Sequence, residues 1–259
     1  IHIVHSADNV TDDISFVIRT AAVHDDNPEV HEAHRRGIPV FERTQAWGAL
    51  MRGYQNALCI SGTHGKTTTT SMCTHIMMAA EKDPTVMIGG TLPLLKACHR
   101  VGKGNTIIME SCEYYNSFLA LNPTIAVVLN IEADHLDFFK DLEDIKHSFR
   151  CFAERVPAET GTVIANYDDA NTMDALRGIA RKVITFGLNA KADVYAQNIV
   201  HRGSVSEFDI YHRGNYFARV TLHVPGIHNV RNALAATAAA IVLGVSPNAV
   251  KYGLAGFEG

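Results

Sequence analysis

The feature that most constrains the fold of this chain is an apolar segment, a short glycine-lysine turn and a helical pattern in immediate succession. Residues 58–60 predict a buried strand, and residues 66–80 predict a long helix. The turn between them, read through Thr67, has the spacing G-x-x-G-K-T. A strand that passes into a helix through so tight a turn is typical of α/β proteins built on a parallel sheet.

The chemistry of this turn favours phosphate binding. Glycines let the backbone turn tightly and direct its N–H groups at phosphate oxygens, and the start of the helix adds partial positive charge. The ammonium group of Lys66 could reach the β and γ phosphates of ATP, and the Thr67 hydroxyl could ligate Mg²⁺. The residues predicted to bind the nucleotide here are Gly62, Thr63, His64, Gly65, Lys66, Thr67 and Thr68.

The spacing differs from that of the standard P-loop. That pattern needs a glycine five residues before Gly65, where this chain has Ile60. Taken alone, the turn fits a strand-to-helix connection with a surface lysine equally well. The flanking strand and helix, together with polar groups at later strand ends, favour nucleotide binding.

The remaining pattern predicts a doubly wound, mostly parallel sheet with an antiparallel addition. Further buried strands are predicted at residues 106–109, 124–131, 162–164 and 183–185. After Asp193, three extended segments joined by glycine-containing turns predict an antiparallel β-meander.

The predicted fold class is α/β with two domains. Residues 1–54 form a partial Rossmann-like region of alternating short strands and helices, without a glycine-rich first turn. Residues 55–259 form a P-loop-type ATPase domain that carries the meander. A helix-like stretch is also expected to begin near Val10.

Composition excludes several classes of protein. The net charge of −4 gives no basic footprint for nucleic acid. The longest apolar run, residues 233–243, is far shorter than the ~20 residues that span a bilayer, so membrane insertion is not expected. Five cysteines without a C-x-x-C pair argue against a zinc site or a disulfide framework and suit a reducing cytoplasm.

Polar residues follow two predicted strands at the edge where ligands gather in such sheets. Glu110 comes directly after the strand at residues 106–109, and as a hard oxygen ligand it is the preferred candidate for Mg²⁺. Glu113 is expected in a solvated loop. His135 follows the next strand, and a structural role is as well supported as a metal-binding one. Asp134 and Asp137 are expected to cap the helix that comes after them.

A third group opens the alanine-rich helix near residue 228. Asn229 and Asn232 lie three residues apart, on one helix face. Their amides offer both donors and acceptors, which suits an adenine edge or a ribose. From chemistry alone, simple helix capping is the favoured alternative.

Residues 62–70, 110–114, 130–137 and 226–236 together resemble the motifs of the Mur ligase family, in that family's order. Residues 26–30 also resemble a family motif. The resemblance implies a first domain that binds a UDP-sugar, a second that binds ATP and a third that brings the amino acid.

The resemblance also implies roles for particular residues. Lys66 would hold the γ-phosphate, Thr67 and Glu110 would ligate one Mg²⁺, and His135 would ligate a second. The adenosine would be met by residues that open the late helix, namely His228, Asn229 and Asn232.

The implied activity is ATP-dependent ligation of L-alanine to the carboxylate of UDP-N-acetylmuramate through an acyl phosphate, in peptidoglycan precursor synthesis. His64, where most family members have Asn, makes the L-alanine-adding members the closest resemblance, although ligases that recycle a murein tripeptide would share this histidine. The alternatives are a ligase that recycles a murein tripeptide, a nucleotide-dependent switch or transport ATPase, and a non-catalytic sugar-nucleotide binding protein. The oligomeric state stays open.

Two departures from the family pattern lead to a further expectation. The glycine-rich first turn of the N-terminal domain and the whole C-terminal domain, with its amino-acid contacts, are missing from these 259 residues. The chain is therefore expected to be a fragment that binds nucleotide but does not complete the reaction alone.

Overall fold

The structure, a computed structural model, describes residues 4–20 and 22–259. The strands are β1 (Val17–Arg19), β2 (Val40–Glu42), β3 (Asn56–Ser61), β4 (Thr85–Leu92), β5 (Ala97–Arg100), β6 (Thr106–Glu110), β7 (Ile125–Val128), β8 (Thr162–Asn166), β9 (Lys182–Gly187), β10 (Val194–Arg202), β11 (Val205–His212) and β12 (Asn215–Leu222). The α-helices are α1 (Pro28–Arg35), α2 (Arg43–Met51), α3 (Lys66–Ala79), α4 (Leu142–Glu154), α5 (Ala170–Ala175), α6 (Ile227–Val242) and α7 (Pro247–Ala255). Two 3₁₀ segments lie at Ala7–Asn9 and Tyr114–Ala120.

A ten-stranded sheet forms the centre of the molecule, in the order β12-β11-β10-β9-β8-β7-β3-β6-β4-β5. In this order, the seven strands β10, β9, β8, β7, β3, β6 and β4 each pair in parallel with the next. At one edge β11 pairs antiparallel with β10 and with the edge strand β12, and at the other edge β5 pairs antiparallel with β4. The predicted doubly wound α/β fold with an added antiparallel meander is therefore confirmed.

Helices cover both faces of this sheet, which explains its nearly continuous apolar strands. Leu58 and Ile60 of β3 belong to a core that also contains residues of α3, α6 and α7. Ala57 and Cys59 point the other way, into a core shared with α4 and the segment after β6. Because alternate residues of a strand face opposite sides, a strand buried on both sides must be apolar throughout.

A smaller parallel pair, β1 and β2, lies with α1 and α2 before the main sheet. Helix α2 packs against the segment that follows β6, where the side-chain amide of Asn122 donates to the Gly48 carbonyl at 2.8 Å. The N-terminal elements therefore lie beside the loop that carries Glu113. The domain boundary at residues 54 and 55 stays a prediction.

Some local expectations were wrong. No α-helix begins near Val10; the described chain there has only the 3₁₀ turn at Ala7–Asn9. Asp134 and Asp137 do not cap α4, because Asp141 is its N-cap and accepts from the Asp144 N–H at 3.0 Å.

Sequence reasoning also placed no element between residues 80 and 106, where β4 and β5 lie. Strand β4 carries Gly89 and Gly90, which weaken a strand signal, and β5 is a four-residue edge strand. Among the described residues, no helix is both long and apolar enough to cross a membrane.

Candidate functional site

The predicted phosphate turn joins the carboxyl end of β3 to the start of α3. Gly62 and Gly65 have φ values of 143° and 86°, which favour glycine. A methyl group on Gly62 would lie 2.8 Å from Cβ of Leu129, and one on Gly65 would lie 2.7 Å from the Asn232 side-chain oxygen. Both positions therefore require glycine, and the second also brings α6 against the turn.

The N-terminus of α3 opens onto this turn. Its N-cap residue is Gly65, which has no side chain to cap the amides of the first helical turn. Thr67 is exposed and Thr68 is half-buried at this end. Uncapped amides and the helix dipole together make a site suited to a phosphate group.

Lys66 points back into the turn and pairs with a buried carboxylate. Its Nζ lies 3.0 and 3.1 Å from the two carboxylate oxygens of Glu113. It also donates to the carbonyls of Gly62 at 2.5 Å and Thr63 at 3.1 Å. The Glu113 side chain is 3% exposed and that of Lys66 14%, so the expected solvated loop position for Glu113 was wrong.

Glu110 has a different environment, although it lies only three residues earlier. Its Oε1 accepts from the Thr67 hydroxyl at 2.9 Å, and its Oε2 accepts from the Gly89 N–H at 2.8 Å. Glu110 is half-buried rather than enclosed. A hydroxyl and a carboxylate thus meet beside the start of α3, which is an oxygen pair that suits Mg²⁺.

This pair fits a Mg²⁺ that completes its coordination with phosphate oxygens and water. Mg²⁺ is usually bound through one or two protein groups in nucleotide sites. Within the described ranges, no group of three or more His, Cys, Asp and Glu side chains could hold a metal by itself. Thr67 and Glu110 are therefore suited to a metal that arrives with a nucleotide.

The loop after β7 holds the turn from the other side. The side chain of Asn130 accepts from the His64 N–H at 2.8 Å and donates to the His64 carbonyl at 3.0 Å. The Thr63 hydroxyl accepts from the Glu132 N–H at 2.9 Å. These contacts fix the backbone of the turn and leave the side chain of His64 exposed.

His135 lies farther along the same loop, in a left-handed conformation with φ of 52°. Its ring stacks on Tyr114 at 4.3 Å between centroids. Within the part of the chain that is described, it shares no hydrogen bond or ion pair with Thr67 or Glu110. The structure thus places His135 at the same rim without joining it to that pair, and its metal role stays a prediction.

The three residues predicted for adenosine lie at the start of α6. The side-chain amide of Asn232 donates to that of Asn229 at 3.3 Å, and Asn229 donates to the Pro225 carbonyl at 2.7 Å. The ring of exposed His228 folds over Gly226, where a methyl group would lie 2.4 Å from it. The buried Asn232 thus links this group to Gly65, while His228 stays outside.

Residues 60–240 match the Mur ligase middle domain, and residues 1–55 match the catalytic domain of the Mur ligase family. The chain belongs to the Mur ligase family. It is 44% identical over 256 residues to the UDP-N-acetylmuramate–L-alanine ligase of Lachnospira eligens, a match that covers 98% of this chain and 56% of that relative. This Mur ligase chain therefore spans about half the length of the curated relatives it matches.

Solved Mur ligases share its fold. UDP-N-acetylmuramate-alanine ligase of Thermotoga maritima is 29% identical, with a TM-score of 0.83 over 99% of this chain and 57% of that one. The ligase of Neisseria meningitidis named for UDP-N-acetylmuramate and L-alanyl-gamma-D-glutamyl-meso-diaminopimelate is 25% identical. Its TM-score is 0.86 over 98% of this chain and 82% of that one.

Sequence reasoning missed three contributors to this Mur ligase site, namely Glu113, Asn130 and Gly89. Asn130 lies within a motif that was noted, but its hold on His64 depends on how two loops meet. Burial of Glu113 depends on the fold of the Tyr114–Ala120 segment, where Tyr115 and Asn116 have positive φ. The signal that could have indicated Glu113 is its short spacing from Glu110, behind the same strand.

Proposed function

We propose that the protein to which this Mur ligase chain belongs joins L-alanine to the carboxylate of UDP-N-acetylmuramate with consumption of ATP, in the cytoplasm. The proposal is carried by one observation, the Thr67–Glu110 contact beside Lys66 at the start of α3. The relative from Lachnospira eligens, whose name states this reaction, supports it over 98% of the chain.

We assign the residues as follows. The amides at the start of α3, with Gly62, Thr63, His64, Gly65 and Thr68, surround the phosphates. Thr67 and Glu110 would hold Mg²⁺, which when bound supplies positive charge that offsets the charge on the transferring phosphoryl group. The adenosine would lie near Asn232, with Asn229 and His228 beside it.

The reaction proceeds in two steps. The muramate carboxylate attacks the γ-phosphorus of ATP, and ADP leaves, which gives an acyl phosphate. The amine of L-alanine then attacks the acyl carbon, phosphate leaves, and the amine loses a proton. Lys66 contributes positive charge at the γ-phosphate in the first step, and its Nζ is held at the turn by Glu113 and the Gly62 carbonyl.

The acceptor substrate has a suitable space beside this rim. A cavity of about 720 Å³ lies between the N-terminal elements and the segment after β6. It is lined on one side by His24, Arg43 and Gln45, and on the other by Cys112 and Tyr114. Arg43 offers a guanidinium and Glu42 a carboxylate in this lining, and a guanidinium suits the phosphates of a sugar nucleotide, which supports residues 1–54 as part of the sugar-nucleotide domain.

A second candidate is ligation of a tripeptide to the same sugar. It is favoured by the TM-score of 0.86 to the Neisseria meningitidis ligase, whose name includes such a peptide. Both candidates use the same ATP site and differ only in the amine that attacks.

Product analysis with the full-length protein separates the two candidates. The protein is incubated with ATP, Mg²⁺ and UDP-N-acetylmuramate, together with either L-alanine or the tripeptide, and products are identified by mass. We expect the L-alanine adduct and a stoichiometric amount of ADP. Formation of the tripeptide adduct alone would favour the second candidate, and ADP release without either adduct would refute both.

A further inference from the structure

Strand β4 has an irregular stretch beside the nucleotide rim. It pairs with β6 only from Thr85 to Met87. Its register with β5 shifts between Met87 and Leu92. Gly89 and Gly90 lie inside this interval, where the ladder is interrupted and a backbone N–H group can make a contact outside it.

One of these N–H groups reaches the carboxylate that we assign to Mg²⁺. The Gly89 N–H donates to Oε2 of Glu110 at 2.8 Å, while the Thr67 hydroxyl donates to Oε1 at 2.9 Å. A carboxylate held through one oxygen can still turn about its terminal bond. Donors on both oxygens, from two different elements, fix its plane and direction.

The missing side chain at position 89 is as important as its N–H. A methyl group there would lie 2.9 Å from both Glu110 oxygens, closer than a Cβ atom approaches other heavy atoms in folded proteins. Because the clash is with the end of a flexible side chain, Glu110 would move and the strand would not. A methyl group on Gly90 would meet only Cγ2 of Thr67, at an ordinary 3.7 Å. Neither glycine has positive φ, so alanine strains the backbone at neither position.

We propose that Gly89 is a positioning residue, which directs the Glu110 carboxylate toward Thr67 through its N–H and through the space left by its absent side chain. This inference rests on the proposed function, in which Glu110 and Thr67 hold the Mg²⁺ that accompanies ATP. Outer contacts of this kind fix the direction of a ligand and typically change metal affinity by about 10- to 100-fold.

The matched pair Gly89→Ala and Gly90→Ala tests the proposal in the full-length protein. Calorimetry gives the dissociation constant of a non-hydrolysable ATP analogue with Mg²⁺ and with a chelator. We expect Gly89→Ala to weaken the Mg²⁺-dependent part of binding by about tenfold and to leave metal-free binding unchanged. Gly90→Ala should match the parent protein in both. Equal behaviour of the two variants would overturn the proposal.

A double-mutant cycle with Glu110→Ala separates this proposal from the one on which it rests. If Gly89 acts through Glu110, Gly89→Ala should add nothing once the carboxylate is gone. A further loss in that background would contradict the inference. If Glu110→Ala itself leaves the effect of Mg²⁺ intact, the metal assignment of the proposed function fails instead.

A third measurement needs no change at position 89. Amide hydrogen exchange of Gly89, followed by NMR, should be faster in Glu110→Ala than in the parent protein, because the N–H loses its acceptor. The Gly90 amide serves as the internal reference and should be unchanged. Equal exchange rates at Gly89 in the two proteins would show that the contact does not exist in solution.

Discussion

Glu110 is the last residue of β6 and Glu113 lies three residues later, yet the fold gives the two carboxylates opposite environments. Glu110 is half-buried, and neutral donors hold both of its oxygens. Glu113 is almost fully enclosed and faces the ammonium group of Lys66. A neutral hydroxyl and amide leave the charge of Glu110 available to a cation, whereas that of Glu113 is neutralised by the lysine. One glutamate is thus suited to binding a cation and the other to holding the fold together, because their surroundings differ.

The largest expected effect is on the ligation rate and comes from replacing Lys66, the partner of Glu113. We expect Lys66→Ala to lower the ligation rate of the full-length protein by at least ~10³-fold, because a fixed charge at the transferring phosphoryl group is lost. Lys251→Ala, at an exposed position on α7, is the control and should keep its rate. Near-parent turnover of Lys66→Ala would show that the lysine only neutralises Glu113.

The stability of the fold should separate the two carboxylates next. Removal of Glu113 breaks a buried ion pair, and we expect Glu113→Ala to lower the free energy of unfolding by about 3 kcal/mol. Glu110→Ala removes only neutral contacts at a half-buried position and should lower it by less than about 1 kcal/mol. Urea unfolding of both variants measures the difference. Equal losses of unfolding free energy would contradict the expectation that the buried ion pair of Glu113 contributes more stability than the neutral contacts of Glu110.

The Mg²⁺ concentration that activity requires should respond more to a change at Glu110 than to one at Glu113, the reverse of the order expected for stability. We expect Glu110→Gln to raise the Mg²⁺ concentration for half-maximal activity by at least about tenfold, because a charged oxygen ligand becomes a neutral amide. Glu113→Gln should leave this concentration within about twofold when it is assayed below its unfolding temperature. A larger metal effect from Glu113→Gln would reverse our assignment of the two residues.

Cys112 lies between the two carboxylates and reports on both. Cys112 is exposed, yet desolvation of its thiol raises its pKa; the charge of Glu113 raises this pKa further, the charge of Lys66 lowers it, and the charge of Glu110 raises it by less. Removal of either negative charge should lower this pKa and increase the thiolate fraction at neutral pH. We expect iodoacetamide to alkylate Cys112 roughly threefold faster in Glu113→Gln, and by a smaller factor in Glu110→Gln.

Peptide mass spectrometry resolves this rate from that of the exposed Cys98, which serves as the reference in each sample. Slower alkylation of Cys112 in Glu113→Gln would contradict the electrostatic comparison.

The sequence predicted those parts of the site that depend on local order. The turn before α3 and Glu110 follow directly from strand ends, because parallel strands present their carboxyl ends at one edge. Asn229 and Asn232 also share a helix face as their spacing predicts. The same reasoning gave the parallel sheet and the meander, since both leave clear periodic patterns.

The parts that could not be predicted depend on contacts between distant segments. The burial of Glu113 requires the fold of a loop with two left-handed residues, which no periodic pattern shows. The contact from Gly89 to Glu110 depends on where β4 lies, and the glycines of β4 weaken the sequence pattern that would predict this strand. Asp137 was expected to cap a helix, but it instead accepts from the Tyr114 hydroxyl at 2.5 Å. In each case a tertiary neighbour, and not the local sequence, decides the environment.

The most direct test of the account is a crystal structure of the full-length protein with Mg²⁺ and a non-hydrolysable ATP analogue. We predict that the phosphates lie over the turn at residues 62–68, with the metal in contact with Oγ1 of Thr67 and the carboxylate of Glu110. The account would be contradicted if the nucleotide were bound elsewhere on the sheet and the turn were empty. It would also be contradicted if the metal were bound without contact to Glu110.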